Sequence, residues 1–72
     1  MTSLRVIPAK KMVAILRRLG FELVRQRGRH ADGRSAIVPM HPGEDLGKGL
    51  IREILKSIDL SVEEYDRLRR NL

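Results

Sequence analysis

Val38-Pro39-Met40-His41-Pro42-Gly43-Glu44-Asp45-Leu46-Gly47-Lys48-Gly49-Leu50-Ile51-Arg52-Glu53-Ile54-Leu55 reads as the end of a strand, a tight polar loop and the start of an amphipathic helix. Pro39 and Pro42 carry no backbone N–H and cannot donate to a ladder, so the strand stops near Val38. Gly43, Gly47 and Gly49 allow a sharp turn, and Glu44 and Asp45 suit a helix N-terminus, where negative charge is stabilised. Leu50, Ile51, Ile54, Leu55 and Ile58 then recur on one helical face, and the helix is expected to end near Ser57 or Ile58. Lys48 stands at the helix entrance, beside backbone N–H groups that can meet a phosphate.

Upstream of this stretch, Arg34-Ser35-Ala36-Ile37-Val38 reads as a strand. Asp32-Gly33 before it is a turn signal, because Gly33 accepts positive φ. Phe21 to Arg27 reads as an earlier strand that Gly28 breaks, with Phe21, Leu23, Arg25 and Arg27 alternating onto one side that turns cationic toward its end. Leu23 and Val24 are adjacent, so one of them must face outward or sit at a bulge.

Before that strand, Met12, Val13, Leu16 and Leu19 recur at helical spacing, with Lys10, Lys11, Arg17 and Arg18 on the other side. A helix from about Pro8 to Leu19 is expected, with Pro8 in its first turn and Gly20 as its C-cap. Leu4–Ile7 is β-prone and reads as a brief edge strand or an arm. Downstream, Ser61 and Glu64 make a capping-box pattern ahead of Val62, Tyr65 and Leu68, which predicts a short final helix. Arg67, Arg69 and Arg70 then lie at its C-terminal end, where cations are favoured. The fold class is α+β: a small antiparallel sheet with helices packed on one face, in one domain spanning residues 1–72.

Seventy-two residues give one small core. With no cysteine there is neither a disulfide staple nor a thiolate metal site, which suits a reducing compartment. No apolar run is long enough to span a bilayer, and the N-terminus lacks a secretory apolar region, so a cytoplasmic protein without membrane contact is expected. The net charge of +6 is unevenly placed. Residues 1–34 carry nine Lys/Arg against two acidic residues, whereas residues 35–72 carry six against seven. A basic half beside a near-neutral half points to a polyanion-binding face. Phe21 and Tyr65 are the only aromatics, too few for a binder that stacks single-stranded bases, so contact with phosphate and sugar or with duplex shape fits better. Lys10, Lys11, Arg25, Arg27, Arg29, Arg34 and Lys48 are the candidate phosphate contacts. No helix-turn-helix spacing stands out, which ranks DNA below RNA.

Catalytic chemistry has few possible carriers. His41 beside Glu44 and Asp45 is the nearest approach to a metal-ligand cluster, and a structural loop explains it better; no metal and no cofactor are expected. No Walker or dinucleotide glycine pattern is present. His30 lies in Arg25-Gln26-Arg27-Gly28-Arg29-His30, with Arg34 four residues on. An imidazole can move a proton near neutral pH and neighbouring guanidiniums can hold phosphates, which are the parts needed for RNA cleavage. On composition and spacing alone, a turn histidine with no task is the better explanation of His30.

Gly20-Phe21-Glu22-Leu23-Val24-Arg25-Gln26-Arg27-Gly28, Asp32-Gly33-Arg34, Val38-Pro39, His41-Pro42-Gly43-Glu44-Asp45-Leu46-Gly47-Lys48-Gly49 and Leu60-Ser61-Val62-Glu63-Glu64 together resemble the HicA toxin family over nearly the whole chain. The resemblance implies a double-stranded-RNA-binding-domain-like fold of helix, three-stranded antiparallel sheet and helix. It further implies a small mRNA interferase that needs no metal, is neutralised by a HicB-like antitoxin, and uses one histidine from a Gly-Ser-His motif after the first strand.

The sequence departs from that pattern in the segment that matters most. Gly28-Arg29-His30-Ala31-Asp32-Gly33-Arg34 stands where the family has Gly-Ser-His, a middle strand and then Arg-His-Pro-Asp-Gly-Arg, so about a strand's worth of residues is absent. His30 aligns as the catalytic histidine with Ser replaced by Arg, or, with the better match, as the histidine of the later turn. Without a middle strand one chain reversal disappears and the central helix starts from the wrong edge of the sheet. Three outcomes follow: a rearranged sheet using Leu4–Ile7, two chains exchanging strands in a homo-oligomer, or a segment missing between Gly28 and Asp32. The expected function is an RNA-cleaving toxin with His30 as acid/base; the alternative is a catalytically inactive module of the same fold that binds RNA or the antitoxin.

Overall fold

The computed structural model describes residues 4–40 and 43–72; His41 and Pro42, which the loop reading used, lie outside the described residues. The elements are α1 (Ala9–Arg18), β1 (Glu22–Val24), β2 (Arg27–Arg29), β3 (Ser35–Ile37), α2 (Lys48–Ser57) and α3 (Val62–Arg70). The strands form one antiparallel sheet in the order β1-β2-β3, giving the expected α+β fold.

The sheet differs from the sequence reading in the decisive place. Phe21 to Arg27 is not one strand: Arg25 takes φ 57 and the chain reverses through Arg25 and Gln26. Glu22, Leu23 and Val24 then face Arg29, Gly28 and Arg27, and the same three β2 residues face Ser35, Ala36 and Ile37 on the other side. Gly28 therefore does not break a strand; it is the centre of the middle one. It is buried, and a Cβ placed there would meet Leu23 at 3.5 Å and Leu16 at 3.6 Å, which is ordinary van der Waals contact. The turn was unreadable because Arg-Gln carries none of the Gly or Asn chemistry that marks two-residue hairpins.

Two reversals remain in this chain, so β1 and β3 run the same way. β3 consequently delivers the chain to α2 on the face that α1 already covers, with α1 packed on β1 and α3 and α2 packed on β3. Leu4–Ile7 supplies no strand. It runs beside the loop before α2, where the Leu46 N–H donates to the Ile7 carbonyl (2.8 Å) and Pro8 bridges to Asp45. The lost reversal that pointed to strand exchange between chains is present within one chain.

The core lies between sheet and helices. α1 contributes Met12, Ile15 and Leu16, and α2 contributes Ile51, Ile54 and Leu55, joined by Phe21, Ala36, Val38, Ile58 and Tyr65. Val24, not Leu23, is the outward member of that adjacent pair. Glu44 and Asp45 do not reach α2, whose first turn holds no acid and whose cap position is Gly47. Ser61 does cap α3, its hydroxyl accepting from the Glu64 N–H at 3.2 Å. On α3, Arg67 pairs with Glu64, and Arg69 and Arg70 pair with Asp66. The Arg69 hydrogen bond holds the Asp66 carboxyl below its usual range. Tyr65 is fully buried and its hydroxyl donates to the Arg5 carbonyl, tying α3 to the N-terminal segment; burial pushes the phenol above its ordinary value.

Candidate nucleic-acid interface

The pleat divides the sheet residues cleanly. Leu23, Gly28 and Ala36 turn toward the helices, whereas Glu22, Val24, Arg27, Arg29, Ser35 and Ile37 are all exposed on the outer face. Register puts Arg27 between Val24 and Ile37, and Arg29 between Glu22 and Ser35. With Arg25 and Gln26 at the hairpin tip, all of these side chains but Ser35 line an open depression. Among the described residues, Arg25, Arg27 and Arg29 make no ion pair. Three arginines against one glutamate give this face a positive potential, and their guanidiniums are free to take phosphate oxygens in pairs. Val24 and Ile37, 64% and 57% exposed, flank Arg27 with apolar surface; the sequence reading missed them, because their place follows only once the Arg25–Gln26 turn is known.

His30 and Arg34 sit elsewhere, in the loop joining β2 to β3. The strand alternation turns His30 toward the helix side, where its ring meets Phe21 edge-on at 5.1 Å between centroids. Its Nδ1 lies 3.1 Å from the Asp32 backbone nitrogen and 3.1 Å from Asp32 Oδ1, so Asp32 holds the ring by its backbone and its carboxylate. Gly20 takes φ 91 at the end of α1, and a Cβ there would come within 3.2 Å of the His30 Nε2. Arg34 donates from Nε to Asp32 Oδ2 (2.7 Å) and from Nη1 to the Ile58 carbonyl (2.6 Å), and its guanidinium lies 5.4 Å from the centre of the Phe21 ring. A cation on the last carbonyls of α2 also meets the negative end of that helix. Asp32 accepts the Arg34 backbone N–H (3.0 Å), and this bond, with the guanidinium, holds its carboxyl below the usual carboxylate range. The loop is a clamp joining the sheet to the C-terminal ends of α1 and α2.

The three candidate lysines lie in the helix layer. Lys10 and Lys11 are exposed in the first turn of α1, and Lys48 is the exposed first residue of α2. The Pro8–Asp45 bridge brings these two helix starts together, so the lysines share one end of the layer. The structure thus groups Arg25, Arg27 and Arg29 on the sheet, Lys10, Lys11 and Lys48 at the helix starts, and His30 with Arg34 in the clamp.

Residues 9–60 match the family described as HicA toxin of bacterial toxin-antitoxin. The chain belongs to the HicA toxin family. No curated protein matches it. A HicA toxin is one half of a toxin–antitoxin pair, which makes an antitoxin this chain's partner class. The order α1-β1-β2-β3-α2 falls within the matched residues and accords with the double-stranded-RNA-binding-domain-like fold of HicA proteins, and α3 lies outside the match. Among the described residues no helix is long and apolar enough to cross a membrane, and no group of three or more His, Cys, Asp or Glu side chains is placed to hold a metal ion.

Proposed function

We propose that this HicA chain acts on RNA in the cytoplasm by gripping its sugar–phosphate backbone, with Arg25, Arg27 and Arg29 on the sheet face as the principal contacts. Lys10, Lys11 and Lys48 extend the positive field at the helix starts, while Arg34 serves in the clamp. The observation carrying this reading is the row of arginines that, among the described residues, make no ion pair on an exposed face. Scarce aromatics favour phosphate contact over base stacking. His30, packed on Phe21 with Nδ1 against Asp32, has in this reading a structural task, so RNA is bound without being cut by that imidazole.

A second reading, mRNA interferase activity with His30 as acid/base, is favoured by one feature: the His30 side chain keeps 24% exposure beside Arg29 and Arg34. Incubating purified protein with mRNA separates the two. Retention without cleavage, weakening steeply as salt rises, supports the binding reading. Cleavage that disappears with His30→Ala, while that variant stays folded, supports the interferase reading.

A further inference from the structure

β3 is an edge strand with a groove beside it. In the ladder with β2, the Val38 N–H donates to the Gln26 carbonyl (2.7 Å) and the His30 N–H donates to the Arg34 carbonyl (2.9 Å). Antiparallel alternation makes Gly28 and Ala36 the next hydrogen-bonded pair, so the N–H and C=O groups of Ser35 and Ile37 point away from the sheet. Alongside this edge, which no strand among the described residues pairs, runs a groove lined by Ser35, Ala36, Ile37 and, from α2, Leu50, Glu53, Ile54 and Ser57.

We propose that the β3 edge and the α2 groove receive an extended acidic segment of a partner protein as a fourth strand. Two N–H donors and two carbonyl acceptors at alternate residues match an incoming strand's own spacing. Side chains of that strand alternate between the two faces. Those turned inward meet Leu50 and Ile54 and should be apolar. Those turned outward lie beyond Ser35 and Ile37, about 10 Å from β2 at two strand spacings, on the side that carries Arg27 and Arg29, and should be acidic. Charge also decides against a second copy of this chain: each carries +6, and a three-residue edge is too short to overcome that repulsion by backbone pairing alone. The family's antitoxin is a protein partner able to supply such a segment; the proposal rests on the edge and the groove, not on RNA binding.

The probe is the acetylated, amidated peptide Glu-Val-Glu-Val-Glu-Val-Glu, titrated into the full chain and followed by amide NMR and hydrogen exchange. The amides of Ser35 and Ile37 should shift and exchange at least tenfold more slowly. Ser35→Pro removes one outward donor at an edge position that tolerates proline, and should weaken binding about tenfold without altering the β1–β2 pairing. Ser57→Trp, which fills the groove from an exposed position, should do the same, so the test survives if one variant misfolds. Protection at Leu23 on the opposite edge, shifts confined to Arg27 and Arg29, binding equal in both folded variants, or no binding at all would overturn the proposal. A peptide bound at β3 that leaves RNA retention unchanged still supports it.

Discussion

At the scale of single residues, backbone conformation separates glycines that the sequence alone treats alike. Gly20 combines φ 91 with a close approach to His30, so Gly20→Ala should destabilise by about 1–2 kcal/mol in urea unfolding. Gly28 sits in extended backbone with ordinary van der Waals room, so Gly28→Ala should be neutral or stabilising by up to about 1 kcal/mol. A strand-breaking turn at Gly28 would require the opposite result. Asp59 adopts φ 56 just past α2, where glycine is the usual occupant, and Asp59→Gly should stabilise by about 0.5–1 kcal/mol. Asp32 gives a pH dependence. Its folded carboxyl titrates below its ordinary value, so the unfolded state binds the proton first as pH falls. The contribution is complete above the unfolded value of about 3.9 and is lost on acidification through the lower folded value. Acid unfolding of Asp32→Asn should show a shallower loss of stability below pH 4 than the parent chain, with Asp66 supplying what remains.

At the scale of elements, much was legible because helix signals are local. The Met12-Leu16 and Ile51-Leu55 periodicities, the Gly20 cap and the Ser61–Glu64 box all sit within one or two turns of the helix they define. Ser61→Ala should cost about 1 kcal/mol, read as a lower urea midpoint. Ile15, three residues after Met12 and four before Leu19, belongs to the same α1 face and is fully buried with it. The sheet was harder. A hairpin turned by Arg25 and Gln26 has no Gly or Asn to announce it, and β2 is three residues around a glycine. Its burial against Leu16 and Leu23 is a tertiary fact. The candidate site suffered for the same reason: the basic run 25–34 was visible, but its division into outward Arg27 and Arg29 and inward His30 depends on that turn. His30 itself stands at the start of the β2–β3 loop, its N–H donating to the Arg34 carbonyl at 2.9 Å.

At the scale of the whole molecule, a meander shortened to three-residue strands still sends α2 to the side of the sheet that α1 covers, because both reversals survive. The outer face then stays open and keeps its arginines unpaired among the described residues, while the α3 arginines are spent on Glu64 and Asp66. This distribution supports a polyanion partner on the sheet. The most direct test is RNA binding measured across a salt series for the parent chain and for a variant carrying Arg27→Ala and Arg29→Ala. The account predicts weaker binding at every salt concentration and a log–log salt slope smaller in magnitude by about 1.4, two phosphate contacts at roughly 0.7 each on single-stranded RNA. An unchanged affinity and slope in the folded variant would contradict it.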